Sequence, residues 1–161
     1  PTVFNSSVRY DGTSWAAGPT LNRATMYGLD GATAAPGTTA LMFGGNFYPP
    51  STAANVCEKF DGTTWTELNN LNTARYYAGG AGTSTAAMEV GGLDPSATAK
   101  VEFWDGTCWS EGSDLATATS YICAAGNGLT QCIGSSGKAP ALTTDCVEYG
   151  VPSTIKTFTA S

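Results

Sequence analysis

The sequence predicts an all-β fold, and two observations lead to that prediction. Glycine (20 residues) and proline (8 residues) interrupt the 161-residue chain at short intervals, and no segment keeps the apolar period of a helix. Charged residues make up only 12% of the chain, so its polar residues are mostly Ser, Thr, Asn and Gly, which favour short strands and tight turns. The length fits one domain, and we expect a single domain over residues 1–161.

One five-residue phrase occurs three times. DGTSW begins at residue 11, DGTTW at residue 61 and DGTCW at residue 105. Each phrase is followed by a leucine, then by an apolar run that ends on glycine, and then by an acidic-aromatic stretch that leads towards the next phrase. Each of these elements is predicted to be a short strand. Repeats of about 45 residues with four strands are typical of the blades of a β-propeller.

Each phrase predicts a β-hairpin. Asp-Gly favours a two-residue type I′ turn, which needs positive φ at both positions. The fourth residue of the phrase is predicted to point to the opposite face from the Trp, so that Ser, Thr and Cys are interchangeable there. The Trp is expected to pack against a neighbouring repeat, with stacking on a sugar as the alternative. The predicted anchors of the repeat are Asp11, Gly12, Trp15, Asp61, Gly62, Trp65, Asp105, Gly106 and Trp109, together with the double glycines Gly44, Gly45, Gly91 and Gly92.

These elements resemble those of a known repeat family. A double glycine after an apolar strand, an acidic-aromatic pair, an Asp-Gly turn and a following Trp resemble kelch repeats. DGTxW and LNTAR (71–75) are more closely similar to the repeat arrays of structural proteins of bacterial viruses, notably cyanophage-type viruses of marine hosts. The resemblance covers residues 8 to about 150 and is weaker in the third repeat, where GSSG (134–137) replaces the double glycine and Thr119 stands in place of Arg75. It implies kelch-like blades of four antiparallel strands.

The strand count predicts an incomplete ring. Residues 2–16 are expected to form half a blade, 21–66 and 71–110 two blades, and 115–160 a divergent blade. These segments add up to about three and a half blades, whereas closed propellers have about four to eight. Open blades leave large apolar faces in water, so we expect another chain or a larger assembly to complete the ring.

The composition argues against several classes of function. Net charge is −6, which disfavours a nucleic-acid partner, and no apolar run approaches the length of a membrane span. The chain has no histidine, which excludes Ser-His-Asp and Cys-His catalysis and most transition-metal sites. We therefore expect no cofactor, no metal and no enzymatic activity, with a glycosidase-type carboxylate pair as a remote alternative.

The resemblance implies a structural or assembly protein of a phage particle, such as a decoration, fibre or tail protein, that assembles in the host cytoplasm. Its expected partners are copies of itself or other virion proteins. The alternative is an extracellular, lectin-like propeller that binds host-surface glycans. Asn46, Phe47 and Tyr48 belong to an aromatic loop that either contacts a partner or covers the edge of a blade.

Two cysteines are predicted to be neighbours across a hairpin. If Asn127-Gly128 forms a two-residue turn, Cys123 pairs directly with Cys132. The two side chains then lie close enough for a disulfide. In a reducing cytosol both thiols are expected to stay reduced.

Overall fold

The all-β prediction is confirmed by the computed structural model. It describes residues 5–23, 27–34, 38–48, 50–127, 131–138, 142–150 and 154–158. The described residues form strands, turns and loops, and every strand pairing is antiparallel. Within these ranges no helix is long and apolar enough to cross a membrane.

The strands form four antiparallel sheets that follow one another in the chain. The first sheet consists of β1 (Val8–Tyr10) and β2 (Trp15–Ala17). The second consists of β3 (Tyr27–Ala34), β4 (Thr39–Phe47), β5 (Thr52–Ala53), β6 (Cys57–Phe60) and β7 (Trp65–Glu67). The third consists of β8 (Gly79–Thr83), β9 (Ala86–Val90), β10 (Val101–Trp104) and β11 (Trp109–Glu111). The fourth consists of β12 (Cys123–Gly126), β13 (Gln131–Lys138), β14 (Leu142–Gly150) and β15 (Thr154–Phe158).

The core lies between the sheets. Strand β8 packs against β3 on one side and against β12 on the other, so the sheets approach each other through their first strands. Between the second and third sheets, the buried apolar side chains are Ala32, Leu41, Phe43, Cys57, Leu71, Ala87, Trp104 and Trp109. Between the third and fourth sheets they are Ala81, Met88, Val90, Val101, Leu115, Ile122 and Cys132. The third sheet therefore buries one face against the second sheet and the other against the fourth.

The Asp-Gly turns are not the predicted type I′ turns. Tyr10 pairs with Trp15, so the loop between β1 and β2 contains four residues, and in this loop only Gly12 has positive φ. The Asp11 side chain fixes the loop, because its Oδ1 accepts hydrogen bonds from the backbone N–H groups of Thr13 and Ser14, both at 2.8 Å. The loops at Asp61 and Asp105 have the same bonds. An Asp side chain that binds the backbone two residues on replaces the tight turn.

The fourth residue of the phrase also contacts this Asp. The Ser14 hydroxyl donates to Asp11 Oδ2 at 3.3 Å, the Thr64 hydroxyl to Asp61 Oδ2 at 3.4 Å, and the Cys108 thiol to Asp105 Oδ2 at 3.6 Å. Ser, Thr and Cys share a donor on Cβ, which explains their exchange at this position better than the predicted outward orientation does.

The double glycines allow close approach between successive repeats. Gly44 and Gly91 have φ of 65° and 66°, a region that favours glycine. A Cβ on Gly44 would lie 2.8 Å from the Arg75 carbonyl oxygen, and one on Gly91 would overlap with that of Thr119. Gly45 and Gly92, also at positive φ, donate their N–H groups to the same two carbonyl oxygens. The glycines thus bind the linker that leads into the next sheet.

The linkers into the second and third sheets also bind the sheet that follows them, through a buried glutamate. Glu58 accepts hydrogen bonds from the N–H and side-chain amide of Asn22 and from the N–H of Arg23. Glu102 accepts the equivalent bonds from Asn72 and Thr73. These bonds satisfy carboxylates that would otherwise be costly to bury.

The predicted cysteine pair is wrong. Cys132 pairs with Gly126 and Cys123 pairs with Ser135, so the register is displaced by three residues from the prediction. The physical reason is Asn127, which donates its backbone N–H to Gln131 O and accepts the Gln131 N–H at its side-chain oxygen, which widens the loop. The odd shift places the two cysteines on opposite faces. Cys123 is exposed, Cys132 is buried, and both are free thiols.

The aromatic loop is only partly available for contacts. Asn46 is buried, and its side-chain oxygen accepts hydrogen bonds from the Ser51 hydroxyl and the Thr52 N–H, so it holds the loop together and is not a contact residue. Phe47 and Tyr48 are half-buried. This arrangement favours the interpretation that the loop covers the edge of the second sheet.

The three Trp residues of the repeat should differ sharply in their contribution to stability. Trp109 is 5% exposed and its ring lies 4.9 Å from that of Phe43, whereas Trp15 is 69% exposed. We expect Trp109→Ala to lower the free energy of unfolding by about 3–5 kcal/mol and Trp15→Ala to change it by less than about 0.5 kcal/mol. Trp65, which is half-buried, should give an intermediate loss. Urea denaturation of the three variants measures the order, and equal losses at the three positions would contradict this packing.

Candidate assembly interface

The first sheet exposes an apolar face, which we call the open face. Val8 is 68% exposed, Tyr10 52% and Trp15 69%, and the last two rings lie 5.2 Å apart. Val8 and Tyr10 are two residues apart on one strand and Trp15 pairs with Tyr10, so the three side chains share one side of the sheet. Large apolar side chains grouped in this way on a surface mark an interaction site.

The open face exists because the first sheet has no sheet before it among the described residues. In the third sheet, Trp104 and Trp109 stand where Tyr10 and Trp15 stand in the first. Both are buried, since the second sheet covers them. The same side-chain pattern is therefore an internal contact in one repeat and an exposed surface in another.

A cavity of about 400 Å³ lies beside the open face. Its apolar lining consists of Val8, Leu21, Leu29, Ala40, Met42, Val56 and Trp65. Met42 pairs with Glu58 across the second sheet, just as Glu89 pairs with Glu102 across the third. The cavity thus lies against the face of the second sheet that, in the third sheet, is covered by the preceding strands.

The far end of the sheet series is also apolar and uncovered. Ile122, Ala124 and Cys132 of the fourth sheet face the third sheet, so the intervening side chains point away from it. Cys123, Ala125 and Ile133 are exposed there. The described part of the chain consequently has an uncovered face at each end.

Three equivalent tyrosines form a column across the starts of β3, β8 and β12, which we call the tyrosine column. The rings of Tyr27 and Tyr77 lie 5.9 Å apart, and those of Tyr77 and Tyr121 are stacked at 4.4 Å. Tyr27 is 39% exposed and Tyr121 51%. Aromatic side chains with exposed edges at the rim of a sheet are suited to contacts with sugars or proteins.

Two residues of the tyrosine column have a strained backbone. Tyr77 and Tyr121 have φ of 52° and 56°, in the left-handed region that bulky residues avoid. Backbone hydrogen bonds hold them there: Tyr77 N–H donates to Gly28 O, and Tyr121 N–H to Tyr77 O. Strain of this kind concentrates at functional sites, and neither the strain nor the stacking was foreseen from the repeated Tyr alone.

A cluster of charged side chains, the ionic cluster, is buried between the second and third sheets. Arg75 Nε lies 3.0 Å from Glu89 Oε2, and Arg75 Nη2 lies 3.3 Å from Glu102 Oε1, with all three side chains fully buried. Asp30 adds a third carboxylate and accepts hydrogen bonds from the backbone of Ala78 and Gly80. One guanidinium group thus lies among three carboxyl groups, and burial makes this excess of acidic groups costly.

Burial dominates the protonation of this cluster. Desolvation raises the pKa of Asp30 to about 7, although the Ala78 hydrogen bond and Arg75 oppose the rise. Desolvation likewise raises the pKa of Glu89 to about 8, opposed by Arg75 and reinforced by Asp30 and Glu102. Burial therefore favours the protonated forms of Asp30 and Glu89. The single buried Arg of LNTAR was the only sequence signal for this cluster.

The repeated aspartates play a different role from these carboxylates. Backbone N–H groups, chiefly those of Ser14 and Thr64, hold the pKa of Asp11 and Asp61 below the usual range. Asp105 is held down in the same way by Cys108. The three side chains are exposed and bind their own loops, so each Asp acts as a local turn residue. Among the described residues, no three metal-ligating side chains are grouped so as to hold an ion.

Comparison with known proteins identifies the fold only. No family model matches the chain, and no curated protein matches its sequence. The chain is similar to the solved structure of YjhT, with a TM-score of 0.78 and 12% identity over 96% of its own length. It spans about half (52%) of the YjhT chain. At this identity the similarity concerns the fold alone.

The ionic cluster predicts that stability falls as pH rises. Because the pKa values of Asp30 and Glu89 are raised in the folded state, that state keeps protons that the unfolded chain releases above its ordinary carboxyl pKa. The free energy of unfolding should therefore decrease between about pH 5 and pH 8, by up to about 1.4 kcal/mol per pH unit for each proton, and then level off. Urea denaturation over this pH series measures the slope.

Glu89→Gln should flatten that slope, because glutamine keeps the shape of the side chain and does not titrate. The matched control is Glu67→Gln, since Glu67 lies on the surface in a pair with Arg23. Stability that rises between pH 5 and pH 8, or an equal slope in both variants, would contradict the assignment.

Proposed function

We propose that the chain is a non-enzymatic structural protein whose sheets are blades of a kelch-like β-propeller, one half blade followed by three complete blades. The order of strands in each sheet and the packing of β8 between β3 and β12 support radial blades that share an inner side. The repeat pattern, which resembles kelch repeats, supports the same arrangement. Another chain or a larger assembly completes the ring.

The observation that carries this proposal is the graded exposure of the three equivalent Trp residues. Trp109 is buried by a complete preceding sheet, Trp65 is half-buried beside a two-stranded sheet, and Trp15 is exposed with no preceding sheet among the described residues. The exposure of these Trp side chains therefore decreases as the number of strands in the preceding sheet increases. It does not depend on a difference between the Trp positions within their own sheets. The open face thus corresponds to a surface that is buried between blades elsewhere in the chain, and in this proposal a protein partner covers it.

The likeness of DGTxW and LNTAR to repeat arrays of bacterial viruses supports a place in a phage particle, as a decoration, fibre or tail protein. In this role the chain binds copies of itself or other virion proteins through its uncovered end faces during assembly in the host cytoplasm. An apolar contact surface suits a lasting assembly, because it would be costly to leave in water.

Two measurements test the proposal. We expect sedimentation velocity at micromolar concentration to show assembly, with Trp15→Ala shifting the chain towards the monomer, because Trp15 is the largest exposed side chain of the open face. Tyr121→Ala is the matched control, since it removes an exposed aromatic ring that lies outside the end faces. Immunogold labelling of virus particles from the source of the chain then tests its place in the virion. A chain that remains monomeric and is absent from particles would overturn the proposal.

The tyrosine column favours a second function, the binding of glycans. Exposed tyrosine rings with a fixed backbone present apolar faces and hydroxyl groups, a combination that suits sugar rings. A cavity of about 410 Å³ next to Tyr121, lined in part by Ser120 and Lys138, would admit a small saccharide.

A glycan array separates the two functions. If the chain is a lectin, Tyr121→Ala should abolish defined hits without changing the melting temperature, while Trp15→Ala should leave them intact. An array without reproducible hits would remove this second function and leave the structural proposal in place.

A further inference from the structure

The cavity of about 410 Å³ beside the tyrosine column lies between the third and fourth sheets, away from both ends of the sheet series. Its lining includes residues of the loop after β9, of the linker into the fourth sheet and of the end of β13, namely Leu93, Ser96, Ala97, Ser120, Tyr121 and Lys138. Apolar, hydroxyl and cationic groups therefore meet in one concave site, a combination that is typical of sites for small ligands.

The preceding junction shows which residues this position holds elsewhere in the chain. Tyr76 forms an isolated antiparallel bridge with Leu93, and Ser120 forms the same kind of bridge with Lys138. In each bridge, the two residues donate their backbone N–H groups to each other's carbonyl oxygens. A tyrosine at positive φ follows Tyr76 and Ser120 alike. Ser120 and Lys138 therefore take the places of Tyr76 and Leu93.

These two exchanges account for the site. The Tyr76 ring lies 5.1 Å from the ring of Tyr77, the residue that follows it. Ser120 has no ring to place beside Tyr121, and the cavity is lined by both residues. Across the bridge, Lys138 brings a cation where the preceding junction has an apolar side chain. Open space and a positive charge thus occur together at one junction.

The charge of Lys138 is available, whereas its backbone is fixed. Its side chain is exposed and forms no ion pair with a carboxylate in the part of the chain that the structure describes. Its N–H donates to Ser120 O at 2.6 Å, and its carbonyl oxygen accepts the Ser120 N–H and hydroxyl, both at 3.0 Å. Asp94 belongs to the same loop as Leu93 and is not among the lining residues. The cavity therefore presents a positive charge without a described counter-charge.

Tyr121 supplies an aromatic surface next to this charge. One face of its ring stacks on Tyr77 at 4.4 Å, and Tyr121 as a whole remains 51% exposed. Its left-handed backbone is held by a hydrogen bond of 2.7 Å from its N–H to Tyr77 O. A sugar ring packs its C–H groups against such a face, and the exposed hydroxyl of Ser96 offers a hydrogen-bond partner to a sugar hydroxyl.

We propose that this cavity binds a hexuronic acid residue of a glycan, with the sugar ring on Tyr121 and the carboxylate on the Lys138 ammonium group. One lysine balances the single charge of a carboxylate, whereas a phosphate group carries nearly two charges. The net charge of −6 opposes non-specific attraction of acidic sugars, so their binding depends on this local cation. The inference rests on the glycan-binding function proposed above and names its substrate class.

Two sugars that differ only at the sixth carbon provide the test. Methyl β-glucuronide carries a carboxylate there, and methyl β-glucoside carries a hydroxymethyl group. We expect titrations of the 161-residue chain, followed by amide NMR spectra, to show at least about threefold tighter binding of the glucuronide, as an ion pair with an exposed lysine allows. Added salt should reduce this preference, because it screens the charge.

Variants of the chain assign the preference to its residue. Lys138→Met should remove the preference and leave the glucoside affinity unchanged, since methionine keeps an unbranched side chain and the backbone hydrogen bonds remain. Lys59→Met is the matched control, because it removes the same charge from β6 in the second sheet and should keep the preference. Tyr121→Ala should weaken both sugars alike. The melting temperature of each variant shows whether it is folded.

Three results would overturn the inference. Equal affinities for the two sugars, or a preference that persists in Lys138→Met, would do so and would leave the glycan-binding function in place. Unchanged spectra with both sugars at about 50 mM would also overturn it. In that case the glycan array described above decides separately whether the chain binds other glycans.

Discussion

The packing of each sheet against the sheet before it is the constraint on which the rest of this structure depends. Short strands rich in Gly, Ala and Thr have little apolar surface, and a single sheet of them cannot form a core. Two sheets in contact bury Phe43, Trp104 and Trp109 together, and this is where the described chain gains its largest apolar contacts. The double glycines and the buried glutamates serve this contact, because they hold each linker at the spacing that the sheets need.

The ionic cluster is the exception to an otherwise apolar contact between sheets. In the sequence, Arg75 aligns with Thr25 of the preceding repeat, and in the sheet Glu89 takes the position of the apolar Met42. Replacing a buried ion pair by apolar residues is often neutral or stabilising, so stability alone does not account for Arg75. A buried arginine instead distinguishes the junction of the second and third sheets from the preceding one, where the described residues include the buried Glu58 and no buried arginine. We infer that this difference helps to fix the order in which similar sheets pack.

Much of the fold could be predicted from the sequence because the repeated residues mark where each strand begins and ends. The alternation around each DGTxW phrase and the spacing of the glycines suffice to place most strands. The loops were predicted less well, since Asp11 and Asn127 both use side-chain oxygens to bind backbone N–H groups, and such bonds lengthen a turn without changing its composition. The ionic cluster and the tyrosine column depend on contacts between sheets, and a repeat pattern within one sheet does not contain that information.

The unequal burial of the Trp residues has a consequence for optical spectroscopy. An indole ring in water emits at longer wavelength than one in an apolar core, so Trp15 and Trp109 contribute to opposite sides of the emission band. Coverage of the open face would move the Trp15 contribution to shorter wavelength and leave that of Trp109 in place. The chain thus contains an internal fluorescence reference together with the fluorophore that reports its state of association, and no external label is needed to follow assembly in real time.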